Sequence, residues 1–168
     1  MEAPIGVDEP VDTPKWQVRP ARTQDREFIL SLTPRLAEGF PLPAWRTPEE
    51  VVRAEAEALI AALDHPLDEA SLLLAERSEG QLGGFVYVQR QVDYFRRRPH
   101  AHVAILTVSA QAEGQGAGRA LLEAAEAWAR AQGLEMITLH VFAENHRARA
   151  VYERLGYAPE TLRYVKPL

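Results

Sequence analysis

The feature that most constrains this chain is a glycine-rich junction between an apolar stretch and a helix-forming stretch. The apolar residues 103–108 predict a buried strand, and apolar side chains after position 116 recur at helical spacing. Between them stand Gly114, Gly116 and Gly118, which allow backbone torsions closed to other residues and a close approach of ligand to main chain. The helix would direct free N–H groups and the positive end of its dipole into the loop. The junction therefore predicts a site for phosphate, held mainly by backbone.

Two common phosphate loops do not fit these residues. The dinucleotide fingerprint G-x-G-x-x-G, started at Gly114, would need a glycine where Arg119 stands. The nucleotide-triphosphate loop ends in Gly-Lys-Ser/Thr, whereas Gly118 is followed by Arg119 and Ala120. Taken alone, the loop could also be a glycine-rich turn that binds no ligand.

A second pattern occupies residues 137–157, where an apolar stretch leads into a polar turn and a short helix. The side chains at positions 148, 151, 152 and 155 share one helix face, and Gly156 is a suitable left-handed stop. Asn145 stands where an N-cap is expected. On the residues alone, Asn145 could be only a cap and Tyr152 only a core aromatic.

Together the two patterns resemble the GNAT superfamily of N-acetyltransferases. Residues 113–118 are similar to its acyl-CoA loop, Q/R-x-x-G-x-G/A, at every position except the first, where Glu113 replaces Gln or Arg. The downstream Asn145 and the sequence Y-E-x-L-G-Y resemble the second family signature. The resemblance covers roughly residues 16 to 165, and the two motifs carry nearly all of its specificity.

The resemblance implies an α+β (α/β mixed) protein with the acyl-CoA N-acyltransferase (GNAT) fold. This fold has a central mixed sheet of six to seven strands, whose two central parallel strands splay apart, and about four helices. Here the splayed strands would end at Val108 and Val141. From periodicity we expect strands near 16–19, 71–76, 82–90, 101–109, 135–142 and 157–166. Helices are expected from an N-cap at Thr23 to a break at Pro34, from a capping box at Thr47, and over 116–131 and 145–155.

Composition sets the class of protein. Hydrophobic residues at 46% and charged residues at 26% are ordinary for one globular domain, expected here over residues 16–168. Residues 1–15 combine prolines and acids and predict a flexible N-terminal tail. Cysteine is absent, which excludes disulfides and thiolate chemistry, and the five histidines lack metal-ligand spacing.

Charge and hydropathy bear on partners. The net charge of −5, without a basic stripe, argues against nucleic acid. The cluster of arginines at 96–98 is expected to be a solvated loop, although it could meet an anionic substrate. No apolar stretch is long enough to span a bilayer and no signal segment is visible, which predicts a cytoplasmic protein without a membrane partner.

The resemblance implies that the chain uses acetyl-CoA as co-substrate and transfers the acetyl group to a primary amine of a small molecule or peptide by direct attack. Backbone groups of the strand would hold the pantetheine, with the Val108 N–H polarising the thioester carbonyl, and loop amides would bind the diphosphate. No metal is implied. The implied cofactor-binding residues are Leu106, Thr107, Val108, Glu113, Gly114, Gln115, Gly116, Ala117, Gly118, Arg119 and Asn145.

The resemblance also implies catalytic side chains. Tyr152 would place its phenol near the sulfur as a general acid, because its pKa of about 10 is close to that of a thiol leaving group. Many relatives carry a base at the position of Ala104, so His102, with an unperturbed pKa of about 6.5, is the nearest candidate base on that strand. A partly exposed strand histidine is the alternative reading of His102. Other bases stay open: a water chain, Glu76, Tyr87, Tyr94 and His140.

Alternative functions follow from the departures at Glu113 and Ala104. A catalytically silent acyl-CoA-binding or sensing domain would keep the loop without a base, and a protein-interaction module would use the acidic tail. The acceptor is not identified, although Phe40, Trp45 and Tyr94 could form an aromatic wall around it. The oligomeric state is also open, and a homodimer paired through the sheet edge near the C-terminus is one option.

Overall fold

The computed structural model of this protein describes residues 15–168, so the predicted tail lies, except for Lys15, outside the described part. One mixed sheet has the strand order β1-β2-β3-β4-β5. Its strands are β1 (Gln17–Pro20), β2 (Ala70–Arg77), β3 (Gln81–Val92), β4 (Pro99–Val108) and β5 (Ile137–Leu139). The α-helices are α1 (Arg26–Ser31), α2 (Pro48–Asp64), α3 (Ala117–Ala131) and α4 (His146–Arg154).

Strands β1 to β4 pair antiparallel, and β4 pairs parallel with β5 through the crossover helix α3. The predicted α+β class, mixed sheet and four helices are confirmed, with five strands instead of six to seven. The strand predicted over 135–142 is only three residues long, and the one predicted over 157–166 is wrong, because residues 157–168 form neither strand nor helix. Alternating apolar residues make a strand only where a neighbour accepts its hydrogen bonds.

The capping box predicted at Thr47 is confirmed. Its Oγ1 accepts a hydrogen bond from the Glu50 N–H (3.2 Å), and Glu50 Oε2 accepts one from the Thr47 N–H (3.0 Å). The N-cap predicted at Thr23 is wrong, since Thr23–Asp25 is a 3₁₀ turn that starts after Arg22. The Asp25 carboxylate accepts a hydrogen bond from the Arg22 N–H instead (2.7 Å). This carboxylate is also paired with Arg19, and a charged acceptor makes a stronger hydrogen bond than the hydroxyl of Thr23 would.

The helix break predicted at Pro34 is also confirmed. Helix α1 ends at Ser31, and residues Thr33–Ala37 form a 3₁₀ turn because proline cannot donate the hydrogen bond that would extend the helix. This turn contacts β4 and brings Arg35 to the carboxyl end of that strand.

Each face of the sheet carries its own apolar cluster. On one face α3 buries Leu121 and Leu122 against strand residues that include Val103. On the other face α1 and α2 bury Ile29 and Leu59 against strand residues that include Ile105. Each of these fully buried side chains contributes about 1.5–3 kcal/mol, so both clusters fix the sheet firmly between its helices.

Candidate functional site

A β-bulge at Ala104 reverses the faces of β4. Strand β3 pairs Val88 with Val103 and Tyr87 with Ile105, so Ala104 has no partner on that strand. Val103 accordingly packs in the α3 cluster, and Ile105 packs in the α1–α2 cluster, although the two are separated by two positions. The bulge therefore changes which backbone groups of the following residues point to each side.

Beyond the bulge, one edge of β4 is open. Strand β5 pairs with β4 only from Ala101 to Val103, whereas β4 continues to Val108. The Ser109 N–H donates to the Gly83 carbonyl (2.8 Å), which makes Val108 a non-hydrogen-bonded partner of β3. The N–H and C=O of Val108 thus point away from β3, into the gap beyond the end of β5.

The same alternation sorts the three predicted strand residues. Leu106 is two positions before Val108, so its polar backbone groups also face the gap, whereas those of Thr107 face β3. Two of the three predicted residues are therefore placed to offer backbone donors and acceptors to a ligand. The splay expected between the two parallel strands is confirmed by this short pairing.

The glycine loop places free amides at the start of α3. Gly114 and Gly116 have φ of 71° and 85°, in the left-handed region that favours glycine, and Gly116 is the N-cap of α3. The first hydrogen bond of the helix runs from the Ala120 N–H to the Gly116 carbonyl (3.0 Å). The amides of Ala117, Gly118 and Arg119 precede it and so belong to the helix start that suits anions.

Gln115 has a different environment from the residues around it. Its N–H donates to the Ala112 carbonyl (3.2 Å), so the amide is already used by the turn. Its carbonyl accepts from Trp16 Nε1 (2.9 Å), and its side-chain oxygen accepts from Arg77 Nη1 (2.6 Å). Trp16, directly before β1, and Arg77, the last residue of β2, thus hold Gln115 in place.

Glu113 is held from the inner side by two arginines. Its Oε1 pairs with Arg35 Nη2, and its Oε2 accepts from Arg147 Nη1 of α4 (3.1 Å). Arg35 also donates from Nε to the Val108 carbonyl (2.7 Å). We call Arg35, Glu113 and Arg147 the clasp. Sequence reasoning missed both arginines, although an acid in a phosphate loop indicates that basic partners should be near.

Asn145 is the N-cap of α4, as one reading of the sequence predicted. Its Oδ1 accepts from the Ala148 N–H (3.1 Å). This bond uses only the carbonyl side of the amide, so the NH₂ group can still donate to a ligand.

Tyr152 lies on α4 and packs against the same cluster as Leu106 and Val108. Its ring centroid is 6.0 Å from that of Tyr157. Burial raises the pKa of the Tyr152 phenol above its usual value of about 10, so the group stays protonated at neutral pH. A phenol in this state can donate a proton.

His102 is buried, with 7% of its surface exposed, so the reading as a partly exposed histidine is wrong. Burial, followed by the nearby His140 and His100, lowers its pKa to about 4, and the ring is neutral at pH 7. Its Nδ1 lies 2.8 Å from Thr138 Oγ1, which is 3.4 Å from the Ala101 carbonyl. A hydroxyl that makes both contacts donates to the carbonyl and accepts from Nδ1, so Nε2 is left to accept a proton.

The other candidate bases are dispersed. Glu76 pairs with Arg19 (2.5 Å), and burial raises the pKa of Tyr87. Tyr94 is in the β3–β4 connection, at the end of β4 opposite the glycine loop, where it stacks on Phe95. His140 contacts the ring of His102, with centroids 4.9 Å apart.

The predicted aromatic wall is only partly formed. Phe40, in the α1–α2 connection, stacks with Phe142 after β5, with ring centroids 5.4 Å apart. Trp45 is 45% exposed, and Tyr94 is at the far hairpin. The Phe40–Phe142 contact joins the α1–α2 connection to the segment that follows β5.

A half-buried carboxyl group also escaped the sequence analysis. Glu55 lies on α2, one turn from each of the buried residues Val51 and Leu59. Burial raises the pKa of the Glu55 carboxyl group. Its i±4 spacing from apolar residues was the available signal.

Between residues 15 and 168 no three acidic or histidine side chains are grouped as metal ligands. Over the same residues no helix has the length and apolarity required to cross a bilayer.

Solved structures share this arrangement. Aminoglycoside 6'-N-acetyltransferase AAC(6')-Ih from Acinetobacter baumannii has a TM-score of 0.69 at 15% identity, over 92% of this chain and 99% of its own. Aminoglycoside N-acetyltransferase AAC(6')-Iy in complex with CoA has a TM-score of 0.68 at 17% identity, over 94% and 97%. At such identities the likeness shows the fold.

Sequence relatives are named mycothiol acetyltransferase. The protein from Saccharomonospora viridis is 29% identical over 137 residues, which are 80% of this chain and 42% of that protein. The protein from Paenarthrobacter aurescens is 35% identical over 110 residues, which are 64% of this chain and 32% of that protein. The chain thus spans less than half the length of these relatives. The model of the acetyltransferase (GNAT) family matches residues 36–157, well over half of the chain, and the chain therefore belongs to that family.

Proposed function

We propose that this protein is an acetyl-CoA-dependent N-acetyltransferase that acts on a primary amine. The observation that carries the proposal is the continuity of two kinds of backbone donor. The open edge of β4 at Leu106 and Val108 leads within a few residues to the free amides at the start of α3. An amide-containing arm and a diphosphate joined in one ligand, as in CoA, match that order.

The residues present fit such a ligand. The gap-facing N–H and C=O groups of Leu106 would bind the pantetheine amides, and the Val108 N–H would donate to the thioester oxygen as it gains negative charge. The amides of Ala117, Gly118 and Arg119 would bind the diphosphate. The NH₂ group of Asn145 would add a donor from α4.

The proposed chemistry is one displacement. The nitrogen of a neutral amine attacks the thioester carbon, a C–N bond forms, and the C–S bond breaks. Tyr152 gives its proton to the departing sulfur, and its raised pKa suits an acid at neutral pH. His102 Nε2 accepts the proton that the amine loses, either directly or through water. With a pKa of about 4 it is a weak base, so its contribution is expected to be smaller than that of Tyr152.

The second candidate function is an acyl-CoA-binding or sensing domain without turnover. The low pKa of His102 favours it, because a base that holds a proton poorly assists the amine only slightly. The loop and the open strand edge would serve both functions equally. The difference between the two lies only in the transfer step.

The acceptor is proposed from the relatives. The sequence relatives are named mycothiol acetyltransferase, and two of the structural neighbours are named aminoglycoside N-acetyltransferases. A primary amine on a small polar molecule is the class they share with the proposal, and a peptide amine is the alternative.

A homodimer is the proposed assembly. Strand β5 ends the sheet with three residues, and the C-terminal segment exposes Leu162 and Tyr164. Exposed apolar side chains of this kind would be buried if two copies of the chain associated through that segment. Light scattering after size-exclusion chromatography would report twice the chain mass if this is right, and the monomer mass would contradict it.

A thiol-release assay tests the central proposal. The purified chain is incubated with acetyl-CoA and a panel of small polyamines, amino sugars, amino acids and lysine peptides, while calorimetry measures CoA binding. Binding together with turnover on any amine supports an acetyltransferase. Binding without turnover on the whole panel supports the sensing domain, and the absence of binding at millimolar CoA contradicts both.

A further inference from the structure

The position at which this chain departs from the family's loop motif also links the loop to two other elements of the fold. Both oxygens of Glu113 contact guanidinium groups that come from other elements, one from the 3₁₀ turn after α1 and one from α4. Through Arg35, the same carboxylate is linked to the Val108 carbonyl at the end of β4. A single side chain thus joins both sides of the gap.

We propose that Glu113 is a positioning residue for acyl-CoA, and that the clasp fixes the gap between β4 and α4 before the ligand binds. This inference rests on the proposed function. It adds a role that the glycine loop and the open strand edge do not supply, because neither of them holds α4 at a defined distance from β4.

The charges in the clasp explain why an acid is tolerated beside an anion site. A free carboxylate next to a diphosphate would weaken binding by repulsion. Here each oxygen of Glu113 is matched by a guanidinium, and the second nearby acid, Glu38, is 3.7 Å from Arg35 Nη1. The loop therefore presents a balanced charge to the ligand, and the amides of α3 stay the dominant donors.

The geometry of Arg35 gives the clasp its specificity. The guanidinium donates from Nε to the Val108 carbonyl and from Nη2 to Glu113 at the same time. Arginine can make this fork, whereas lysine presents one point charge. Because Arg35 satisfies the carbonyl of Val108, the free gap-facing group of that residue is its N–H, which is the donor that a thioester oxygen needs.

Burial separates the clasp from ordinary surface ion pairs. The side chains of Arg35 and Glu113 are 24% and 33% exposed, whereas Arg147 is 70% exposed. The Arg35–Glu113 contact is therefore expected to carry most of the effect, and Arg147 less. Arg26 and Asp64 form a matched pair that links α1 to α2 at 2.5 Å, away from the loop.

The test uses the full chain, CoA as the probe in calorimetry, acetyl-CoA in kinetics with an amine found active, and thermal unfolding. Glu113→Gln keeps the size of the side chain and restores a residue that the family motif allows. We expect its Kd for CoA and KM for acetyl-CoA to rise about tenfold, as for the loss of one charge-assisted hydrogen bond, with kcat and Tm nearly unchanged. Arg26→Gln, the control, should leave all four quantities unchanged.

Two further variants separate geometry from charge. Arg35→Lys keeps the charge but not the fork, so we expect it to weaken CoA binding as much as Arg35→Gln does. The double variant of Glu113→Gln with Arg35→Gln should be no worse than either single change, because both break the same contact. Arg147→Gln should have a smaller effect.

Several outcomes would overturn the inference. Glu113→Gln that binds CoA as tightly as the wild type, or more tightly, would show that the carboxylate does not position the ligand. Arg35→Lys with normal affinity would show that charge alone matters, and a lower Tm with unchanged Kd would show a purely structural role. A wild-type chain that binds no CoA would instead overturn the proposed function, and the inference with it.

Discussion

The two halves of β4 have the same secondary structure, but their backbone groups have different partners. From Ala101 to Val103 the strand has neighbours on both sides, and its backbone groups bond to β3 and β5. From Ile105 to Val108 it keeps only β3. The gap-facing carbonyl of Val108 accepts from Arg35, and the gap-facing groups of Leu106 and the Val108 N–H are left for a ligand. The bulge at Ala104 separates the halves. The comparison teaches that a strand offers backbone groups to a ligand where its pairing stops, without any change of residue type.

The polar side chains of the two halves differ in the same way. In the first half, His100 and His102 are buried, and burial with the neighbouring imidazoles keeps His102 neutral. Past the second half, the side chain of Glu113 is held between two arginines. The paired half thus buries a neutral histidine, whereas the segment after the open half holds a carboxyl group between two arginines.

The strongest challenge to this comparison is to remove one gap-facing N–H. Val108→Pro deletes the donor proposed for the thioester oxygen, yet that N–H makes no bond to β3, so the sheet should survive. We expect kcat to fall about 10²–10³-fold, as for the loss of one oxyanion donor. Val108→Ala, which keeps the N–H, is the control in the same kinetic assay. Normal kcat in the proline variant would remove Val108 from the mechanism.

Tyr152→Phe tests whether the phenol of Tyr152, on α4, gives its proton to the sulfur of a ligand bound along the open half of β4. The loss of the proton donor should lower kcat about 10²-fold and leave the Kd for CoA nearly unchanged. Because burial raises the pKa of Tyr152, the wild-type kcat should decline only above about pH 10, as the phenol ionises, and this decline should be absent in the variant. A large loss of CoA affinity would indicate that the phenol serves packing instead.

The paired half makes its own prediction, which concerns stability. The pKa of His102 is about 4 in the folded chain and about 6.5 unfolded, so below pH 6.5 the unfolded state binds a proton that the folded state refuses. The free energy of unfolding should therefore fall by about 2 kcal/mol from pH 7 to pH 5, through this group. Urea titrations of His102→Gln should show a smaller fall in the free energy of unfolding than the wild type shows. His146→Gln, at an exposed site, should show the same fall as the wild type. Equal pH dependence in wild type and His102→Gln would contradict the assignment.

The smallest expected effect compares two strained glycines. Gly116 and Gly133 both have positive φ, of 85° and 69°, one at the start of α3 and one just beyond its end. Alanine at either position should cost about 1 kcal/mol of stability. Only Gly116→Ala should also weaken CoA binding in calorimetry, by about tenfold, because it displaces the first amides of the helix. Equal CoA affinity in the two variants would mean that the loop tolerates the change.

The parts of the fold that local sequence determines were predictable. The glycine junction, the capping box at Thr47 and the cap at Asn145 depend on contacts within a few residues, and each is present as expected. The strand predicted near the C-terminus is absent, because a strand needs a neighbouring strand, which local sequence does not supply. Tyr164 and its neighbours have strand-like periodicity, but the described residues supply no strand beside them.

In the candidate site, too, local sequence predicts some features, and contacts between distant residues determine the others. The sequence predicted binding residues at 106–108, at 113–119 and at Asn145, but not which of them face a ligand. The bulge at Ala104 decides that, since one extra residue exchanges the directions of all the backbone groups after it. Alanine carries no signal for a bulge, so no pattern in the sequence marks it.

What the sequence by itself determined is the order of elements, the glycine loop and the apolar faces, because these follow from propensity, capping and periodicity over short stretches. The tertiary structure alone decided where β4 loses its neighbour, why Leu106 and Val108 face the gap, and how Glu113 is neutralised by Arg35 and Arg147. Those features arise from contacts between residues far apart in the chain, whose geometry is set only when the sheet and helices pack together.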